Sequence, residues 1–274
     1  MSPIPIDMNH PPLLLLKLGG SLITRREGFR EADADSVHRF IQVIHSRWEQ
    51  LRHRLIIILG GGSFGHNIVA EYGIHLSPSE VPPANVMMLS VNMFGWKMWV
   101  AERFRERGVP CYPFQTTSYV TTDDHHIVDV HLEPIMQALS MGLLPILSGD
   151  TVFDRRHGYV LFSSDRVPEL FAGRVPVARA VVLTDVPGIL EETPEGPRPI
   201  SRVTRENQEQ VRRIAGPSRG KLDVTGGMKA KLDALLRMAQ QGVESVIMEG
   251  SSPELAIDAL FAPQSPGTVV EAWK

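Results

Sequence analysis

The stretch LLLLKLGGS at residues 13–21 decides the fold of this chain. Its apolar run, Leu13–Leu18, is broken only by Lys17 and ends in two glycines and a serine. A run without polar alternation is typical of a parallel strand that is covered on both faces. A second run, Leu55–Leu59, ends at the glycines of residues 60–62. The two runs therefore predict neighbouring strands of a buried parallel sheet.

The residues between these two strands have helical spacing. Apolar side chains recur every three or four positions within residues 33–54, which predicts a helix that crosses over the sheet. The resulting β-α-β unit should have a right-handed crossover. Strands and helices continue to alternate, which favours an open, mainly parallel α/β sheet. Further helices are predicted at residues 84–107, 131–141, 164–172 and 225–241, further strands at 109–114, 143–147, 180–184, 243–248 and 268–270, and an exposed loop or hairpin at 191–198.

Length and composition limit the class of protein. The 274 residues, with 43% hydrophobic and 22% charged side chains, suit a soluble globular enzyme, and we expect residues 1–274 to form a single domain. Because the net charge is −3, no bulk basic field draws the chain to nucleic acid or anionic lipid. Cys111 is the only cysteine, so an internal disulfide is excluded. We expect neither a signal peptide nor a membrane segment, and therefore a cytoplasmic protein with small-molecule partners.

Three glycine-rich turns follow predicted strands, at residues 19–21, 60–66 and 148–150. Glycine lets the backbone approach a ligand closely, and amide groups at the start of a helix attract an anion. Since ligands bind beyond the carboxyl ends of parallel strands, the three turns should meet at one edge of the sheet. The alternative is that glycine merely makes tight connections. The lysine two residues before Gly19 favours phosphate binding, although a Walker A loop and a convincing dinucleotide fingerprint are both absent.

Two lysines and one carboxylate are candidates for the chemistry. Lys17 lies inside an apolar strand, where a charge without a partner is costly, so it should meet a phosphate or a carboxylate. Lys231 follows a predicted helix start at residues 226–227 by one turn and could fold back over it. Lys229 could do the same, and spacing alone does not choose between them. Asp165 could cap the following helix or hold two lysines in place.

Histidines and an apolar helix complete the candidate site. His66 follows the second glycine turn and could donate a hydrogen bond to a substrate oxygen, whereas His125 and His126 are interpreted as part of a surface loop. The helix at residues 85–103 is rich in methionine and aromatic residues, which would suit a prenyl tail. Ordinary helix core or a dimer interface would explain the same composition. The residues concerned are Met87, Met88, Met93, Phe94, Trp96, Met98 and Trp99.

From Lys17 to about Val270 the chain resembles the amino acid kinase superfamily, and within it the isopentenyl phosphate kinase branch with the related fosfomycin resistance kinases. The resemblance implies a three-layer αβα sandwich around an open, eight-stranded, mainly parallel sheet. It also implies ATP with Mg²⁺ as cofactors and a homodimer. The motifs that carry it are KLGGSLIT at 17–24, GGGSFGH at 60–66, SGD at 148–150, SSD at 163–165, LTDVPG at 183–188, and DVTGGM at 223–228 with Lys231.

The resemblance also implies a role for each matching residue. Lys17 and Lys231 would contact the transferring phosphoryl group, Asp165 would orient these lysines, and His66 would hold the phosphate of the substrate. An N-terminal lobe would bind the acceptor and a C-terminal lobe would bind ATP, with no protein ligand for the metal. The other substrate-binding residues would be Gly20, Gly61, Gly62, Gly65, Gly149 and Asp150. The nucleotide-binding residues would be Gly19, Ser21, Arg26, Thr184, Asp185, Gly188, Gly226 and Met228.

The chain departs from the family pattern in ways that leave the substrate open. Where the family often has lysine after the first glycine turn, this chain has Arg26, which keeps the charge but not the shape. Residues 162–169 are more similar to the fosfomycin kinases, whereas 62–66 and 223–227 are more similar to isopentenyl phosphate kinases. The first expectation is a kinase that converts isopentenyl phosphate to isopentenyl diphosphate. A phosphonate kinase of the fosfomycin-resistance type and an inactive nucleotide-binding regulatory relative are the alternatives.

Overall fold

An eight-stranded sheet forms the centre of the fold, and a four-stranded sheet accompanies it. The computed structural model describes residues 11–25, 27–75, 80–216, 227–262 and 265–273. Within these ranges the strands are β1 Leu13–Leu18, β2 Leu55–Leu59, β3 Cys111–Pro113, β4 Val120–Asp123, β5 His126–Val130, β6 Leu144–Ser148, β7 Asp150–Asp154, β8 Gly158–Phe162, β9 Val177–Thr184, β10 Leu190–Glu191, β11 Arg198–Pro199, β12 Arg202–Val203, β13 Ser245–Glu249 and β14 Thr268–Val270.

The helices lie on both sides of the central sheet. No helix in the described ranges combines the length and the apolar character that crossing a lipid bilayer requires. The α-helices are α1 Gly20–Ile23, α2 Ala34–Ser46, α3 Trp48–Leu51, α4 Gly62–Glu71, α5 Pro83–Glu106, α6 Glu133–Ser140, α7 Gln208–Ile214, α8 Gly227–Gln240 and α9 Pro253–Ala259, and 3-10 helices form at Thr116–Ser118 and Ser164–Leu170.

The central sheet is mainly parallel, as predicted. Its strand order is β12-β14-β13-β9-β1-β2-β6-β3, and every neighbouring pair is parallel except β13 and β14. On β1, Lys17 pairs with Ile58 of β2 on one side and with Val182 of β9 on the other. Because β1, β2, β6 and β9 run in the same direction, their carboxyl ends lie at one edge of the sheet. The glycine turns follow the strands at this edge.

The alternation of side chains along β1 divides the hydrophobic core into two clusters. Leu14 and Leu16 belong to one cluster, with residues of α2, α4, α5 and α9. Leu13 and Leu15 belong to the other, with residues of α6, α7 and α8. Helices therefore cover both faces of the sheet, which confirms the three-layer αβα sandwich and explains why the strands are apolar on both sides.

The smaller sheet was not predicted from the sequence. Its order is β5-β4-β7-β8, in which β4 with β5 and β7 with β8 form antiparallel hairpins joined by a parallel contact of β4 with β7. These strands are four or five residues long, and β5 is half-buried or exposed along its whole length. Of these strands only β8 contains an apolar run, at residues 159–162, and the others show neither such a run nor clear alternation. Since β7 begins at Asp150, this sheet extends directly from the third glycine turn.

Candidate active site

The first two glycine turns pack directly against each other at the carboxyl edge of the sheet. A Cβ atom on Gly20 would overlap the backbone nitrogen of Gly62, and one on Gly60 would overlap the backbone nitrogen of Gly20. Gly62 also has a φ of 46°, in the left-handed region that favours glycine. This approach brings the starts of α1 and α4 together. Both turns line one cleft, so their backbone amides surround the same space.

The third glycine turn positions the segment that leads to Asp165. A Cβ atom on Gly149 would lie 2.6 Å from the carbonyl oxygen of Phe162 and 2.7 Å from the amide nitrogen of Ser164. Such distances are too short for a real Cβ atom, so only glycine lets β6 and the end of β8 approach each other in this way. Gly149 therefore helps to bring Asp165 to the same edge of the sheet as the other two turns.

One carboxylate joins two lysines beside these turns. Nζ of Lys17 lies 2.7 Å from Oδ1 of Asp165, and Nζ of Lys231 lies 3.1 Å from Oδ2. Lys17 extends from β1, Asp165 from the 3-10 helix at Ser164–Leu170, and Lys231 from α8. The side chain of Ser163, not that of Asp165, caps this 3-10 helix, because it accepts a hydrogen bond from the amide of residue 165. Three elements that are far apart in sequence thus converge on one ion-pair cluster.

Lys229, which the sequence could not distinguish from Lys231, has a different partner. Nζ of Lys229 lies 2.9 Å from Asp233, which also pairs with Arg212 at 2.7 Å. Lys229 is exposed and does not line the cleft, whereas Lys231 does. The structure therefore resolves the ambiguity that helical spacing left open. Lys231 belongs to the cluster, and Lys229 belongs to the contact between α7 and α8.

Burial and charge act in opposite directions on this cluster. Burial lowers the pKa of Lys17, and the nearby ammonium of Lys231 lowers it further, while Asp165 opposes both effects. Burial raises the pKa of Asp165, but the two ammonium groups outweigh this and hold the pKa below its ordinary value. Asp165 is therefore ionised at neutral pH. With two cations and one anion, the cluster offers net positive charge to a ligand in the cleft.

A cleft of about 1210 Å³ connects the cluster to the glycine turns. Its volume is large enough for a nucleotide together with a small second substrate. Among the residues predicted for the site, those that line the cleft are Lys17, Gly19, Gly20, Ser21, Gly61, Gly62, Gly65, His66, Gly149, Asp150, Asp165, Thr184, Asp185, Met228 and Lys231.

The remaining predicted residues have other positions. Gly188 is not part of the cleft lining; it is buried with a φ of 154°, and a Cβ atom there would lie 2.6 Å from Oγ1 of Thr268. The close packing of the segment after β9 against β14 explains why this residue is a glycine. Contact of Gly188 with the nucleotide stays a prediction. Arg26 and Gly226 lie outside the described residues. Whether Arg26 replaces the usual family lysine stays a prediction.

One end of the cleft is apolar. Leu89 and Met93 of α5, Val69 of α4 and Leu161 of β8 line the cleft together with His66. Met93 and Leu89 are one helical turn apart, so they share a face of α5. Sδ of Met93 lies within 4 Å of the positions that Cβ atoms on Gly61 and Gly65 would occupy. The apolar end therefore adjoins the second glycine turn.

Most of the apolar residues of α5 that were considered for a substrate pocket lie in the core or on the surface instead. Trp96 is buried in the core, stacks on Phe64 with a centroid distance of 4.5 Å, and donates to the carbonyl oxygen of Gly60. Met87, Phe94 and Met98 are exposed on the opposite side of α5. A helix of 24 residues has several faces, and composition alone does not assign a residue to one of them. Only Met93 of the seven predicted residues lines the cleft.

A buried polar network behind the cleft was missed by the sequence reasoning. Nζ of Lys97 donates to Oγ of Ser148 at 2.9 Å and to Oε1 of Gln115 at 3.1 Å. Gln115 in turn donates to Asp150 at 2.6 Å, and Ser90 donates to the other oxygen of the same carboxylate. Burial lowers the pKa of Lys97 to about 8 and raises the pKa of Asp150. Asp150 therefore lines the cleft, but both of its carboxylate oxygens accept hydrogen bonds from other side chains of the protein.

Other cleft residues also lay outside the prediction. His125 and His126 are exposed, as expected, but His126 begins β5 rather than lying in a loop, and both residues line the cleft. Arg166, next to Asp165, and Arg237, on α8, line it as well. The only signal for Arg166 was its position after the predicted carboxylate. No group of three or more His, Cys, Asp or Glu side chains that could hold a metal occurs in the part of the chain that the structure describes.

Comparison with known proteins identifies the class that this fold and site define. The family model of the amino acid kinase family matches residues 12–249. The chain therefore belongs to the amino acid kinase family, an enzyme family of phosphotransferases.

The similar proteins define the branch of this family. Isopentenyl phosphate kinase of Methanothermobacter thermautotrophicus is 30% identical over 93% of this chain and 98% of its own length. The same enzyme of Methanocaldococcus jannaschii is 25% identical over 84% of this chain and 89% of its own length. A crystal structure of an isopentenyl phosphate kinase superposes with a TM-score of 0.77 at 25% identity, covering 94% of this chain and 99% of that structure. The chain lies in the isopentenyl phosphate kinase branch.

Proposed function

We propose that this protein transfers the γ-phosphoryl group of ATP to the phosphate of isopentenyl phosphate, and so makes isopentenyl diphosphate. One observation carries the proposal: a single cleft joins the cluster of Lys17, Asp165 and Lys231 to His66 and an apolar end. Net positive charge suits phosphate groups, and an apolar end suits a short hydrocarbon tail. The relatives named isopentenyl phosphate kinase support the same substrate.

The mechanism follows from positioning and charge neutralisation. An oxygen of the acceptor phosphate bonds to the γ-phosphorus while the bond from that phosphorus to the bridging oxygen of ADP breaks. Lys17 and Lys231 stabilise the charge on the transferring group, and Asp165 holds both lysines in place. The acceptor phosphate is already ionised at neutral pH, so the reaction needs no strong general base. Backbone amides of the first two glycine turns add further donors.

The two substrates would occupy opposite ends of the cleft. Within the single domain of residues 1–274, the N-terminal lobe would bind the acceptor, with His66 and the glycines near Gly61 at its phosphate. The C-terminal lobe would bind the nucleotide beside Thr184, Asp185 and Met228, which line that side of the cleft. ATP bound with Mg²⁺ would have part of the charge of its phosphates neutralised by the metal. Both carboxylate oxygens of Asp165 are already paired with lysines, so the nucleotide would supply most of the ligands to the metal.

A homodimer is the proposed assembly. Met87, Val91, Phe94 and Met98 form an exposed apolar stripe at helical spacing on α5, with each side chain at least 41% exposed. A contiguous exposed apolar surface of this kind is typical of a contact between protein chains. We propose that the stripe meets the same stripe of a second copy, because one self-complementary patch suffices for a twofold dimer.

An assay of acceptor preference tests the proposed function. ADP release is measured with ATP, Mg²⁺ and either isopentenyl phosphate, fosfomycin or a small carboxylic acid, and we expect turnover to be fastest with isopentenyl phosphate. Faster turnover of fosfomycin would favour the phosphonate kinase. A lack of turnover with every acceptor, while ATP still binds, would favour the regulatory relative. Lys17→Ala serves as the control that separates enzymatic turnover from contaminating ATPase activity.

A further inference from the structure

The hairpin turn between β4 and β5 has an uncommon backbone. Asp123 pairs with His126 across the hairpin, so the loop consists of Asp124 and His125 alone. Their φ angles are 51° and 65°. Two-residue turns with positive φ at both positions usually contain asparagine, aspartate or glycine, and glycine is preferred at the second position. The chain therefore keeps a histidine where glycine would fit the backbone better, and such strain concentrates at functional sites.

Asp154 fixes this turn. Its buried carboxylate accepts hydrogen bonds from the amides of Asp124 at 3.2 Å and His125 at 3.0 Å. The same carboxylate accepts hydrogen bonds from the amides of Arg156 at 3.0 Å and His157 at 2.9 Å in the neighbouring turn between β7 and β8. One side chain thus ties two hairpin turns together. The backbone position of residue 125 is therefore fixed by this carboxylate, and its imidazole packs against that of His157 with a centroid distance of 4.8 Å.

The fixed turn presents two histidines to the cleft. His125 and His126 line the cleft, whereas Asp124 does not. Arg166 donates to the carbonyl oxygen of His125 at 3.0 Å and directly follows Asp165 in sequence. The turn therefore adjoins the carboxylate that holds Lys17 and the other lysine of the cluster.

The surroundings of the turn favour an anionic ligand. Arg166 lies 2.7 Å from Glu169, which also pairs with Arg237, and both arginines line the cleft. Two guanidinium groups share one carboxylate, so this group of three side chains carries net positive charge even when the histidines are neutral. Both imidazoles can donate a hydrogen bond in the neutral or the charged form.

We propose that His125 and His126, here called the histidine rim, donate hydrogen bonds to phosphate oxygens of substrates bound in the cleft. The proposal rests on the proposed function, because that function supplies the phosphates. It explains why the turn keeps a strained histidine: glycine would relieve the backbone but would remove the donor. The phosphate oxygens can belong to the nucleotide or to the acceptor, and separate titrations distinguish the two sources.

The test compares variants that are chosen to preserve the backbone of the hairpin turn between β4 and β5. The first variant combines His125→Asn, because asparagine tolerates positive φ, with His126→Thr, because threonine suits a strand. The matched control is Asp124→Asn, which changes the same turn outside the cleft. Its partner His157 packs against His125, and asparagine keeps an oxygen that can accept the hydrogen bond from His157. Calorimetry gives Kd for ATP alone and for isopentenyl phosphate alone, steady-state kinetics gives kcat and each KM, and thermal unfolding gives Tm.

The expected result is a loss that is confined to the rim variant. Its kcat/KM should fall roughly tenfold or more, as for the loss of hydrogen bonds to a charged group, with Tm unchanged or higher. Weaker binding of ATP assigns the rim to the nucleotide, and weaker binding of isopentenyl phosphate assigns it to the acceptor. Asp124→Asn should stay within twofold of wild type. If Tm of the rim variant falls, His125→Gly, which the backbone accepts without strain, is measured instead.

Two outcomes separate this proposal from the proposed function. If wild type binds ATP but uses no tested acceptor, the proposed function fails, and the ATP titration still decides the role of the rim. Unchanged affinity for ATP, together with unchanged Kd and KM for every acceptor that wild type uses, overturns the histidine rim and leaves the proposed function intact.

Discussion

At the scale of single residues, the central feature is a carboxylate that is shared by two lysines. Asp165 is buried, so its charge would be costly if either partner were missing. The pairing keeps both ammonium groups at one point of the cleft before any ligand binds. Preorganised charge of this kind needs no rearrangement during phosphoryl transfer.

The two lysines of α8 provide a matched pair of variants. We expect Lys231→Met to lower kcat by about 10²–10³, because it removes one preorganised donor, and Lys17→Ala to have an effect of the same order. Lys229→Met should retain near-normal turnover, since Lys229 is exposed and does not line the cleft, although its partner Asp233 does. The measurement is kcat of purified, folded variants. Equal losses at residues 229 and 231 would contradict the assignment of Lys231 to the site.

The roles of some of these residues could be predicted from the sequence, and those of others could not. Lys17 could be predicted, because a charge within an apolar strand needs a partner wherever the strand lies. For Asp165 the sequence left two possible roles, a helix cap or a carboxylate that holds two lysines. It could not choose between them, because the local sequence is the same in both cases. Lys231 and Lys229 could not be separated, because the choice depends on how α8 is rotated against the sheet. Arg166 and the histidine rim depend on a small sheet that the sequence did not predict.

At the scale of elements, α5 connects the core, the cleft and the surface. Met93 lines the cleft, Trp96 packs in the core and Phe94 is exposed. The helix is also tied to the third glycine turn, because Lys97 binds Ser148 and reaches Asp150 through a glutamine. A shift of α5 would therefore displace residues that line the acceptor end of the cleft.

Lys97 makes the stability of the protein depend on pH. Its pKa of about 8 in the folded protein is below the value of about 10.4 in an unfolded chain, so the unfolded state binds more protons between these values. The contribution of Lys97 to the free energy of unfolding therefore rises with pH across this range. Lys97→Met should remove this rise and should cost about 3 kcal/mol at pH 7, because it leaves the buried Asp150 without its cation.

Urea unfolding at pH 7, 8 and 9.5 checks this prediction. The quantity to compare is the difference between wild type and variant, since Cys111, with its pKa raised by burial to about 11, also titrates and has the opposite sign. The control is Lys97→Met combined with Asp150→Asn, which should recover much of the lost stability because no unpaired charge remains. A wild-type minus Lys97→Met difference that does not change with pH would rule out a titrating Lys97.

At the scale of the whole molecule, the exposed stripe of α5 is the proposed surface between two copies. Val91→Glu combined with Met98→Glu places charges on both copies of the stripe, so we expect a monomer in light scattering after gel filtration. Leu255→Glu is a matched control, because Leu255 is 51% exposed on α9, away from the stripe. A wild-type monomer, or a dimer that survives the double substitution, would contradict the proposed interface.

The sequence by itself determined the layered α/β architecture and the edge of the sheet where the site lies. Short apolar runs that end in glycines, such as Leu13–Leu18, favour strands of a covered sheet, and the glycines mark close turns. Both properties depend on residues that are neighbours in the chain, so the sequence could predict them. The structure and the family model confirmed the predicted fold and family.

Only the tertiary structure decided which side chains share the cleft. Nothing local in the sequence shows that Lys17, Asp165 and Lys231 meet, that α5 presents Met93 but not Phe94 to the cleft, or that His125 reaches it. The physical reason is that helix rotation and hairpin position depend on the packing of distant segments, whereas strand burial and glycine turns depend on neighbours in the chain.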